Sequence, residues 1–192
     1  GRDIRAQVEQ FFVDEKEAKD NLFALPKSVR WLDFIDPALA SGGVLDSDDF
    51  IEFIGEILPT RRFRKLQIPL KVVTAELLTG QGVVIDSGDL LPALQASMAV
   101  PGVFPPVELN GRLLVDGGVA NPLPYDLVRK GSDIVIAIDV SGEREIEDGE
   151  SLSSLGVLLQ SFHAMSNNIL AEKLKQRRPD VYVRPNIRNV RV

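Results

Sequence analysis

The chain has 192 residues, 22 basic against 28 acidic, for a net charge of −6, with 44% hydrophobic content and no cysteine. That suits one folded domain with a sizeable core, and it argues against a disordered chain or a basic nucleic-acid binder. The missing thiols exclude disulfides, thiolate metal sites and a cysteine nucleophile together, and no apolar run approaches the length of a membrane span.

Residues 4–23 carry Ile4, Val8, Phe11, Phe12 and Phe23 beside a charged run at Asp14–Asp20. The spacing predicts one or two helices with a solvated face, ended by Pro26. Trp31–Pro37 and Ser41-Gly42-Gly43 read as an irregular connection. A helix is predicted over 49–58, with Phe50, Ile51, Phe53, Ile54, Ile57 and Leu58 on one apolar face and Pro59 as its stop. Ile68 to Leu78 reads as a strand. Thr79-Gly80-Gln81-Gly82 turns it into a second strand, Val83–Ser87, making a hairpin. A helix over 89–99 follows.

Ser97 to Pro106 is a loop rich in proline and glycine. Asn110-Gly111 is a hairpin turn, because a two-residue type I′ turn needs φ > 0 at both positions. The returning strand, Leu113-Leu114-Val115, stops at Asp116, followed by Gly117 and Gly118. A short helix is predicted over 125–130, ending at Gly131. Asp133–Val140 is almost continuously apolar, which predicts a strand buried on both faces, as in a parallel sheet covered by helices. A polar, acidic loop is expected over 141–150. The longest helix is expected over 151–176, burying Leu152, Leu155, Leu158, Leu159, Phe162, Met165, Ile169 and Leu174. A last strand spans 180–185. The basic residues between Lys173 and Arg191 read as a solvated helix end and strand edge, with contact to an anionic lipid surface as a minor alternative.

Asp116 has two readings. A turn aspartate would bond its own following backbone, with the glycines supplying unusual dihedrals. A catalytic carboxylate at a strand tip would use the same glycines to let another backbone or a substrate approach. The single histidine, His163, falls inside the long helix and reads as a helix-surface or core residue rather than a triad member.

The Ser97–Pro105 loop is similar to a Ser-x-x-x-Pro-Gly-x-Phe-x-Pro block. Val115-Asp116-Gly117-Gly118 with Asn121-Pro122-Leu123-Pro124 is similar to an Asp-Gly-Gly block. Two blocks in this order and spacing resemble the patatin-like phospholipase family, which includes bacterial patatin-like proteins and the catalytic domain of neuropathy target esterase. The resemblance extends more weakly from about Leu22 to about Pro185. It implies an α/β fold, a mainly parallel sheet covered by helices on both faces, and a Ser-Asp dyad that hydrolyses lipid acyl esters. Asp116 would then be the general base, Gly117 and Gly118 its supporting backbone, and Ser97, Pro101, Val103, Phe104 and Pro105 the substrate wall. For those loop residues, making a rigid loop is an equally good account.

The family's Gly-x-Ser-x-Gly nucleophile elbow and its upstream oxyanion loop are not found. Ala40-Ser41-Gly42-Gly43, Asp86-Ser87-Gly88 and Val140-Ser141-Gly142 lack the first glycine, and Gly131-Ser132-Asp133 lacks the second. Residues 1–192 therefore read as one patatin-like domain incomplete at its N-terminus, inactive on its own, that supplies the base to a longer enzyme. A non-catalytic module binding lipid or protein, and a non-lipid serine esterase, are the alternatives. The resemblance implies no metal or organic cofactor, a lipid or other acyl-ester substrate, peripheral membrane contact and no nucleic acid. A cytoplasmic, membrane-associated location is expected, with secretion left open. A free carboxylate holds a serine proton poorly, since its pKa is near 4. Desolvation at the strand tip would raise that value and ease the transfer.

Overall fold

A computed structural model describes residues 48–141 and 154–185, all within one compact unit. The segments read above over 4–43, 142–153 and 186–192 lie outside the described residues. Helix α1 spans Asp48–Ile57. A 3-10 turn, Phe63–Lys65, leads to strand β1 (Val72–Glu76), and β2 (Gly82–Ile85) follows. Helix α2 is Leu90–Met98. Its Pro92 falls in the first turn, where the missing N–H has no intrahelical partner to lose. Strands β3 (Val107–Leu109) and β4 (Arg112–Asp116) form the next hairpin. Two 3-10 turns, Gly117–Val119 and Tyr125–Val128, precede β5 (Ile136–Ile138), helix α3 (Ser154–Gln176) and β6 (Val181–Val183).

The larger sheet has the order β2-β1-β4-β3, and every pairing in it is antiparallel. The expectation of a mainly parallel sheet is corrected for these strands. Short turns of a few residues join β1 to β2 and β3 to β4, and such connections can only return a strand antiparallel. Asn110 at φ 53° and Gly111 at φ 72° form the expected turn. The parallel pairing is β5 with β6, Ile136 opposite Val181 and Ile138 opposite Val183. Helix α3 lies between these two strands in the chain, as a parallel connection requires.

β1 is shorter than the apolar run that suggested it. Pro69 has no N–H to give a ladder, and the chain from Ile68 to Lys71 lies exposed outside the sheet. From Val72 onward the strand enters the core, with Ala75 and Thr74 fully buried. Phe63, Val72, Leu90 and Ala93 form one buried cluster, joined by Leu66, Ile85 and Leu94. Helix α1 packs on α2 where Gly55 faces Leu91.

A second cluster gathers Tyr125, Val135, Ala137 and Leu170, with Leu123 and Leu174 against it. Here the reading of Asp133–Val140 as buried on both faces is corrected. Val135, Ala137 and Asp139 are buried, whereas Ile134, Ile136, Ile138 and Val140 are exposed. Among the described residues, the second cluster covers one face of β5. The same correction reaches α3. Leu170 is buried, and Leu155, Leu159, Phe162 and Leu174 are half-buried, but Leu158, Met165 and Ile169 are exposed.

Candidate active site

Strand β4, an inner strand, delivers Asp116 to one end of the sheet, opposite Thr74 of β1. Its backbone N–H donates to the Ala99 carbonyl oxygen at 2.9 Å, so the start of the Pro/Gly loop is tied to the carboxylate's own residue. The side chain caps the 3-10 turn that follows, Oδ1 accepting from the Gly118 N–H at 2.6 Å. Gly117 sits flat against β1, where a Cβ would collide with the Val73 carbonyl oxygen. Only glycine permits that approach. The same carbonyl accepts a hydrogen bond from Ser97 Oγ at 2.8 Å. Ser97 and Gly117 thus converge on one point of β1, and Ser97 ties α2 to the sheet.

Helix α3 closes over the turn. A Cβ on Gly118 would lie 3.1 Å from Phe162 Cζ and 2.8 Å from Asp116 Oδ1, so the ring edge and the carboxylate border the same small space. Four residues further along α3, Ser166 Oγ donates to the Gly118 carbonyl oxygen at 3.1 Å. Burial pushes the Asp116 carboxyl above the usual carboxylate range, and the single Gly118 N–H only partly opposes it. A carboxyl in that state can accept a proton at lower cost than one in water.

The loop residues Pro101, Val103, Phe104 and Pro105 are half-buried. Val103 and Phe104 N–H groups both bond the Val100 carbonyl oxygen, at 2.9 and 3.1 Å, making the loop a tight turn. Gly102, at its tip, packs against Leu158 and Leu155 of α3. The structure joins this loop to Asp116 through Ala99. Among the described residues, two clefts lie elsewhere, one around Asn121, Tyr125, Asp126 and Lys173 and one around Arg62–Lys71, and Asp116 lines neither. His163 Nε2 pairs with Asn167 Nδ2 at 2.9 Å within α3, and among the described residues no hydrogen bond joins it to Asp116.

The sequence reading missed Phe162 and Ser166 as neighbours of Asp116. Their four-residue spacing on one helix face was the available signal. It also missed Lys173. The Lys173 ammonium reaches Asn121 Oδ1 at 2.5 Å, the Leu123 carbonyl oxygen at 2.7 Å and the Asp126 carboxylate, and it lies 4.5 Å from the Tyr125 ring centroid. This lysine fastens the Asn121–Pro124 segment, whose Asn121 N–H bonds the Gly117 carbonyl oxygen at 2.8 Å.

A strand-tip aspartate, a glycine pressed on the neighbouring strand and a proline turn behind them make up the candidate site. The patatin-like phospholipase model matches residues 3–129, and the chain belongs to that family. An NTE family protein of Mycobacterium tuberculosis is 31% identical over 152 residues, covering 76% of this chain and 42% of the relative. Patatin-like phospholipase domain-containing protein 7 of Rattus norvegicus is 28% identical over 167 residues, 83% of this chain and 12% of the relative. A patatin-like phospholipase domain-containing protein of Caenorhabditis elegans is 32% identical over 136 residues, 68% of this chain and 10% of the relative. The chain therefore spans less than half the length of each of these relatives.

Proposed function

We propose that this chain is the base-bearing part of a lipid acyl-ester hydrolase of the phospholipase or lysophospholipase kind. In this reading it is one patatin-like α/β domain completed by a longer protein, which supplies the serine nucleophile and the oxyanion donors. The parallel β5–β6 pair is then a corner of a larger, mainly parallel sheet. The enzyme acts at the cytoplasmic face of a membrane. The observation that carries the reading is Asp116 itself: a half-buried carboxyl in a family-matched segment, held by one N–H and shifted toward accepting a proton.

Asp116 would take the serine proton as the hydroxyl attacks the acyl carbonyl, then return it to the departing alcohol. Gly117 and Gly118 fix the carboxylate by backbone packing, and Phe162 keeps water from it. Pro101, Val103, Phe104 and Pro105 supply an apolar wall for the acyl chain. The experiment is Asp116→Asn in the full-length protein, assayed on a lysophospholipid and on a soluble short-acyl ester. A loss of turnover at unchanged stability supports the base. Full turnover would leave Asp116 as a turn cap, and a folded wild type inert on all esters would favour a binding module.

A further inference from the structure

Between α1 and β1 the chain reads Arg61-Arg62-Phe63-Arg64-Lys65-Leu66-Gln67-Ile68-Pro69-Leu70-Lys71. Five cations and no carboxylate stand in this strap, in a chain whose net charge is −6. Phe63 and Leu66 plug it into the core beside Val72, Leu90 and Ala93. The rest faces outward. Ile68 is 80% exposed and Leu70 40%, and Arg64, Lys65 and Lys71 are exposed with them. Arg62 pairs with Asp89 at 3.0 Å, both half-exposed, and Lys71 Nζ donates to the Leu127 carbonyl oxygen at 3.2 Å. Among the described residues Arg64 and Lys65 have no ion-pair partner. Arg62, Arg64, Leu70 and Lys71 border a cleft of about 760 Å³ in which Asp86 is the one carboxylate of the lining.

The strap's position matters as much as its composition. β1 and β4 run antiparallel with Thr74 opposite Asp116 and Glu76 opposite Leu114. The register therefore brings the Lys71 end of β1 beside the residues that follow Asp116. The strap and the Asp116 turn share one end of the sheet.

An exposed isoleucine beside Arg64 and Lys65, which have no ion-pair partner among the described residues, fits a surface that is apolar inside and anionic outside. A nucleic acid would take the cations and leave Ile68 and Leu70 in water. An apolar protein groove would take Ile68 and strand the cations. We propose that this strap docks the protein on an anionic lipid surface. Ile68 and Leu70 enter the headgroup boundary, and Arg64, Lys65 and Lys71 engage lipid phosphates beside the Asp116 end of the sheet. The docking rests on the acyl-hydrolase reading only in making that surface the source of substrate.

Each cation near an anionic leaflet strengthens binding about fivefold. The test is sedimentation of the full-length protein with phosphatidylcholine vesicles and with vesicles about one-third phosphatidylserine. The wild type should prefer the anionic vesicles, and added salt should weaken that preference. Arg64→Gln/Lys65→Gln should weaken anionic-vesicle binding about thirtyfold, and Ile68→Asp should weaken binding to both vesicles. On a soluble short-acyl ester, Arg64→Gln/Lys65→Gln should turn over as the wild type does, while losing rate on vesicle phospholipid. Equal binding to both vesicles, or an unchanged double variant, overturns the docking surface. So does retention of single-stranded DNA by the strap in place of vesicles. If the wild type is inert on both the soluble ester and vesicle phospholipid yet binds vesicles as described, the hydrolase reading fails and the docking surface stands.

Discussion

Asp116 closes β4 and Asp139 follows β5, so each carboxylate stands where an apolar strand gives way to small residues. Asp139 has little solvent-exposed surface, at 4%. Burial pushes its carboxyl up, yet bonds from Ser141 and Tyr182, with the charge of Arg184, outweigh it and leave the group below the usual carboxylate range. Its Oδ1 accepts the Ser141 N–H at 3.0 Å and the Ser141 hydroxyl, while Oδ2 accepts the Tyr182 hydroxyl at 2.5 Å. Arg184 Nε lies 3.7 Å away. Burial and this carboxylate together push the Tyr182 phenol up to about 12. Asp116 has one N–H and the opposite shift. At Asp116 burial is opposed by one donor, whereas at Asp139 it is outweighed by several donors and a cation. The saturated aspartate has no unused capacity for chemistry, and the undersatisfied one does.

The comparison breaks most sharply under paired amide substitutions. Asp116→Asn should lower kcat by about a hundredfold to ten-thousandfold with little loss of stability, since the amide oxygen can still accept from Gly118. Asp139→Asn should do the reverse, keeping turnover per folded molecule and losing about 1–3 kcal/mol of stability. Turnover on a lipid ester and urea midpoints for both variants check this. Gly117→Val comes next. A side chain there strikes the Val73 carbonyl, so soluble, folded protein should fall severely in expression and melting assays. An unchanged Tm would show that β1 can yield.

The two groups should also sharpen the contrast through pH. Asp116 has a raised folded-state pKa, so its contribution favours the folded state in acid and is lost as pH rises through that value. Asp139 has a lowered one, so its contribution is present above the unfolded value near 4 and is lost as pH falls through the folded value. Tm against pH should show a shallower acid decline in Asp139→Asn, where Asp126 and Asp180 still contribute, and keep it in Asp116→Asn. A smaller effect is expected from Phe162→Leu. Thinning the ring beside Gly118 admits water to Asp116, and the acid limb of kcat/KM should move down by a few tenths of a pH unit. An unmoved limb would remove Phe162 from the site. The smallest change is expected from His163→Ala, whose partner is Asn167 in the same helix. Wild-type turnover is the expected result, and a dead variant would replace the dyad with a triad.

Local chemistry was legible in the sequence. Asn110-Gly111 announced its turn because the required dihedrals belong to those residue types. Asp116-Gly117-Gly118 announced a strand end for a different reason, since neither glycine has a positive φ and Gly117 is needed where the turn presses on the Val73 carbonyl. The helix over 90–98 followed from its apolar spacing. What depends on distant partners was not legible. The run Asp133–Val140 has the composition of a strand covered twice, but composition does not say how many layers arrive. Phe162 and Ser166 reach Gly118 across more than forty residues, and Lys173 reaches Asn121 across 52. Nothing in the neighbourhood of either end marks the other. Ile68 and Leu70 looked like strand residues until Pro69 left them without a ladder.

The most direct measurement is a carbon-13 NMR titration of the Asp116 and Asp139 carboxyl groups in one sample. Opposite displacements are predicted, Asp116 titrating above the ordinary carboxylate value near 4 and Asp139 below it. Asp116 titrating at or below that value, alongside Asp139, would contradict the account.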